Sequence, residues 1–130
     1  MLVTDTAEKI KKMEIRGAGR IARAAVAALM DHAASSAARD IIPFRNDMRE
    51  AAALLQGTRP TAVSLPNAIH KVMLSLEGDI PTVQEMKDHF ISACRNFISS
   101  SEAAIERMGA IGANHIQEGD TVLTHCNSET

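Results

Sequence analysis

Residues 82–108 read TVQEMKDHFISACRNFISSSEAAIERM, and this stretch decides the fold. Thr82 after Pro81, with Glu85 three residues on, is a capping box that starts a helix. Phe90, Ile91, Cys94, Phe97, Ile98, Ile105 and Met108 recur at helical spacing and supply one inward face. The spacing predicts a helix that runs past Ser99 to Met108, where Gly109 and Gly112 loosen the pattern. Such a long amphipathic helix needs other helices to cover its apolar stripe.

Working toward the N-terminus, the same period returns. Pro60 and Pro66 bracket a helix start, Ile69, Val72, Met73 and Leu76 form its stripe, and Gly78 ends it. Pro43 occupies a first-turn position before a helix carrying Phe44, Met48, Ala51, Ala52 and Leu55 inward, with Gly57 as its stop. In IARAAVAALMDHAASSAAR, residues 21–39, one face holds Ile21, Ala24, Ala25, Ala28, Leu29 and His32. So many alanines imply close approach of another backbone. In TDTAEKIKKMEI, residues 4–15, Asp5 and Glu8 fit a cap, followed by Ile10, Met13 and Glu14 at helical spacing. Toward the C-terminus, a turn over ANHIQEGD leads to TVLTH, residues 121–125, a β-like run. A lone strand has no ladder to join. The expectation is therefore all-α: five or six helices over residues 1–118, with 119–130 as the first strand of a further, missing Rossmann-like domain.

Composition agrees. The 130 residues are 45% hydrophobic but 2% aromatic, with Phe44, Phe90 and Phe97 as the aromatics, which suits close-packed helices over a β-sandwich. A net charge of -2 gives no basic field for nucleic acid, and the lack of aromatics removes base-stacking platforms. No apolar run is long enough for a membrane span, and the first residues hold no apolar signal core. Cys94 and Cys126 lie far apart without metal-ligand spacing, which suits free thiols in a reducing cytoplasm. His32, His70 and His89 read as surface or satisfied core groups, and no metal or other cofactor is expected.

Three stretches have the residue types for chemistry. RGAGR, residues 16–20, sets a glycine pair before a helix, where backbone N–H groups approach an anion and Arg16, Arg20 and Arg23 add charge. A glycine pair also lets helices cross closely, with the arginines solvated, and spacing alone favours that use. Arg59 stands between a glycine stop and a proline-led helix start, a fit for a phosphate clamp and equally for a surface connection. Cys126 follows the β-like run, where a subsequent helix would depress a thiol pKa, although an isolated cysteine is more often a small buried hydrophobe. His125 precedes it, but alternation along a strand points the two to opposite faces.

Taken together, RGAGRIARAAVAAL (16–29), TRPTAVSLPNAI (58–69) and IGANHIQEGDTVLTHCNS (111–128) resemble three consecutive signatures of one family. That family holds the regulatory subunits of translation initiation factor 2B, 5-methylthioribose-1-phosphate isomerase and archaeal ribose-1,5-bisphosphate isomerase. RGAGRIAR and HCNS resemble the ribose-1,5-bisphosphate isomerase and its factor 2B-like relatives. The resemblance implies a helical N-terminal domain, a Rossmann-like C-terminal domain and an active site between them. It implies an aldose–ketose isomerase in AMP salvage, with Cys126 catalytic and Arg16, Gly17, Ala18, Gly19 and Arg59 holding substrate phosphate. Asn127 and Ser128 would border the same pocket. The partner implied is a sugar bisphosphate, with AMP as a candidate effector and homo-oligomerisation of the full-length protein. The family's second catalytic group, an aspartate, falls beyond Thr130, so these residues alone are expected to be inactive. The rival expectation is a non-catalytic regulatory subunit of the factor 2B type.

Overall fold

A computed structural model describes residues 2–125. Helices α1 (Val3–Lys11), α2 (Ala18–Ser35), α3 (Ile41–Gln56), α4 (Ser64–Met73) and α5 (Val83–Ala113) follow one another, with a 3₁₀ turn, Leu74–Leu76, closing α4. Helix α2 lies at the centre and packs against each of the other four. Its alanines explain how. Ala25, Ala28 and Ala33 are fully buried, and so small a side chain admits neighbours on several sides at once. Around it pack Ile10 of α1, Phe44, Met48 and Leu55 of α3, Leu65, Ile69 and Val72 of α4, and Met86, Phe90 and Cys94 of α5.

The cap on α5 forms as its sequence demands. The Glu85 N–H donates to Thr82 Oγ1 at 3.2 Å, and that hydroxyl donates to Glu85 Oε2 at 2.8 Å. The equivalent pair in α1 does not. That helix starts at Val3, two residues before Asp5, with Leu2 at its N-cap and no side-chain cap. Val3, Thr6, Ala7 and Ile10 are buried, so the apolar stripe starts at Val3 and pulls the helix start with it. Asp5 lies instead in the first turn, where a carboxylate faces the positive end of the helix.

Helix α1 also ends early. Met13 takes φ 61, and it is 51% exposed rather than inward. The Glu14 N–H reaches Lys9 O at 2.9 Å and the Met13 N–H reaches Ile10 O at 3.1 Å. Those two bonds are a Schellman termination with methionine in the left-handed position that glycine usually takes. The chain is thereby reversed within a few residues and delivered to Arg16 and Gly17.

At the other end α5 exceeds its expected length. Its 31 residues span about 46 Å and pass helically through Gly109 and Gly112. Nothing on it after Cys94 is buried, and Met108 and Ile111 are 47% and 59% exposed, so Met108 is not a core residue. The helix outruns the bundle that covers its first half. Among the described residues no strand is assigned. Residues 121–125, the β-like run, hold no regular element and are exposed.

Candidate phosphate site at the head of helix α2

Gly17 is the N-cap of α2, at φ 90 and ψ 134, a conformation that only glycine adopts without strain. The turn places the Ala18 and Gly19 N–H groups at the open end of a helix of 18 residues, where no intrahelical acceptor exists. Gly17, the N-cap residue, supplies no side-chain cap, and the first turn holds no acidic residue. The partial positive charge of the helix end is therefore uncompensated from within the element. Arg16 and Ala18 are exposed, and Gly17 and Gly19 half-buried.

Arg59 comes to the same end of the molecule through α4. Its carbonyl accepts from the Ala62 N–H at 3.1 Å, closing a tight turn with Pro60 at the second position. The preceding residue is held as well, since the Thr58 hydroxyl donates to Leu55 O at 2.6 Å. The turn leads into α4, whose first residue makes the decisive link: Ser64 Oγ donates to Ala18 O at 3.1 Å. Two segments 46 residues apart, the glycine block and the start of α4 that follows the Arg59 turn, are tied together at the head of α2. Nothing in the sequence spacing announces this bond, because it depends on the packing of α4 against α2.

The remaining candidates sort by their surroundings. Arg23 is committed elsewhere, donating to Ser101 Oγ of α5 at 3.3 Å. Cys94 is fully buried, and desolvation pushes its thiol up to about 12, so it stays neutral and unreactive near pH 7. His70 and His89 are exposed. His32 Nε2 lies 2.9 Å from Asp47 Oδ1 of α3, a partner fifteen residues away that local spacing could not reveal. This pair borders a groove of about 340 Å³ that also carries Glu50 and no basic residue beyond His32, the wrong charge for phosphate. Among the described residues no group of three or more His, Cys, Asp or Glu could hold a metal ion. Cys126, Asn127 and Ser128 lie outside the described residues.

The family model described as the initiation factor 2 subunit family (IF-2B) matches residues 14–130, which include every site residue discussed. The chain belongs to this IF-2B family. Ribose 1,5-bisphosphate isomerase of Methanocaldococcus jannaschii is 49% identical over 128 residues, covering 98% of this chain and 40% of the relative. Among solved structures, 5-methylthioribose 1-phosphate isomerase from Pyrococcus horikoshii OT3 superposes with a TM-score of 0.83 at 33% identity. That match covers 91% of this chain and 33% of the other. The delta subunit of translation initiation factor eIF-2B from A. fulgidus gives 0.79 at 30% identity, covering 97% and 37%. The chain spans about 40% of the length of the first curated relatives it matches. The IF-2B fold thus accommodates both isomerases and a translation factor subunit on one helical scaffold.

Proposed function

We propose that the chain is the helical, phosphate-holding part of a ribose-1,5-bisphosphate isomerase, acting on a sugar bisphosphate as an aldose–ketose isomerase in AMP salvage. The observation that supports this reading is the Ser64–Ala18 bond, which joins the start of α4, just after the Arg59 turn, to the glycine block. Backbone N–H groups at α2 and the guanidinium groups of Arg16 and Arg59 then hold phosphate by charge-assisted bonds. Fixing the phosphate also orients the sugar carbons against the catalytic groups, which lowers the entropic cost of the proton transfers.

Moving a proton between adjacent carbons needs an acid/base pair close together and screened from water. Cys126 is assigned the first role, with Asn127 and Ser128 beside it. The second group, an aspartate, is assigned to the length of the relatives that this chain does not span. The chain alone is therefore expected to bind and not to turn over. Oligomerisation, an AMP effector, a cytoplasmic setting and the absence of nucleic-acid binding belong to the same proposal; no described helix is long and apolar enough to cross a membrane. Calorimetric titration with ribose 1,5-bisphosphate tests it. Saturable binding weakened about tenfold or more by Arg59→Ala, with no ribulose 1,5-bisphosphate formed, is expected. Binding indifferent to Arg59 would overturn the assignment.

The alternative, a regulatory subunit of the factor 2B type, is favoured by the likeness to the A. fulgidus delta subunit. A complete protein that binds the bisphosphate at this site and never isomerises it would decide for that reading.

A further inference from the structure

Helices α1 and α3 pack side by side and leave a furrow between them. The hollow of about 340 Å³ beside the His32–Asp47 pair lies over Val3, Ala51 and Leu54. Two more, of about 280 and 270 Å³, adjoin it. One shares Leu2, Val3 and His32 with it and reaches Ser35. The other shares Leu54 and reaches Lys11, Gly57 and Thr58. Val3 thus lies near Asp47, and Lys11 near Gly57, so α1 and α3 run in the same direction. The three hollows make one groove about 15 Å long, roughly three helical turns.

Side-chain size makes the groove. Its floor is Val3, Ala7 and Ala51, all buried, and the two alanines are too short to fill the space between the helices. Its lips are Leu2 and Leu54, 68% and 47% exposed. Large apolar side chains held in water along an apolar floor mark a surface built to be covered. The charge around it says by what. Glu8, Asp31, Asp47 and Glu50 line the groove against Lys11 and His32. Asp47 is engaged by His32, and Glu8 lies 3.7 Å from Lys12, an exposed pair worth little in water. Glu50 is exposed and has no hydrogen-bond or ion-pair partner among the described residues. The groove is therefore acidic on a molecule whose net charge is only -2. The exposed residues 101–120 of a second copy would not complement it, since they hold four carboxylates and one arginine.

We propose that the α1–α3 groove docks a basic amphipathic helix of a partner protein, about three turns long. Its apolar stripe covers Val3, Ala51 and Leu54, and its Lys or Arg side chains meet Glu50 and Glu8. The test is a displayed library of random 16-residue peptides panned against the 130-residue chain. Enriched peptides should carry apolar residues at helical spacing and a net positive charge. The best of them, synthesised, should bind more weakly as salt is raised. Glu50→Lys and Leu54→Glu change exposed side chains, and each should weaken it about tenfold or more. A measurement on wild type needs no variant: the peptide should shift the amides of Val3, Thr4, Glu50 and Leu54 first. Enrichment of acidic or aperiodic peptides, no enrichment, binding indifferent to both variants, or amide shifts confined to other elements would overturn the proposal. So would a dimer of the chain that both variants dissolve, which would put a second copy in the groove.

Discussion

Cys94 and Gly17 show how much one residue's surroundings decide. Burial raises the Cys94 thiol from an ordinary 9.0 to about 12. In the unfolded chain it ionises near the lower value, so between about pH 9 and 12 the unfolded state holds fewer protons than the folded one. Stability contributed by the neutral buried thiol is thus full below pH 9 and falls as pH rises through that window, by on the order of 1 kcal/mol per unit. Urea unfolding of wild type and Cys94→Ala across this range should show the steeper alkaline loss in wild type only; parallel curves would contradict the assignment. Gly17 has a different constraint, a backbone at φ 90 that a Cβ resists. Gly17→Ala should cost about 1–3 kcal/mol in the same measurement, and an unchanged midpoint would mean that the turn tolerates a side chain. Gly17 was legible in the sequence as half of a glycine pair. Met13 was not: no residue-level signal marks a methionine for the left-handed position, because the Schellman bonds that demand it come from the chain's return toward α2.

At the scale of elements, Asp5–Glu8 and Thr82–Glu85 share one spacing and have different fates. The Thr82 pair caps because Pro81 stops the chain from being helical earlier and the apolar face of α5 starts only at Val83 and Met86. In α1 the apolar face already includes Val3, so the helix starts ahead of its polar signal. Thr82→Ala should therefore cost about 1 kcal/mol, while Asp5→Ala should cost a few tenths; equal costs in thermal unfolding would show the two pairs to be alike. Capping chemistry is readable locally, but which cap wins is settled by where burial begins. The same reasoning explains α5. Its period is legible as far as Met108, yet period alone cannot tell a stripe that meets a core from one that continues past it.

For the whole molecule, the all-α reading followed from helical periodicity and scarce aromatics, both of which survive packing because they describe what each helix must bury. The alanine-rich stretch foretold a close approach, and α2 packs against all four other helices. The site was half legible. Its residue types stood in the sequence, but the meeting of the glycine block with the start of α4 depends on Ser64 reaching Ala18, a contact between segments with no local signature. The central claim is that this meeting makes a phosphate site, and amide mapping tests it most directly. Ribose 1,5-bisphosphate titrated into ¹⁵N-labelled chain should move the Gly17, Ala18 and Gly19 amides and the Arg59 side-chain signal together, saturably, with the His32–Asp47 groove still. Shifts absent from the head of α2, or appearing first at that groove, would contradict the account.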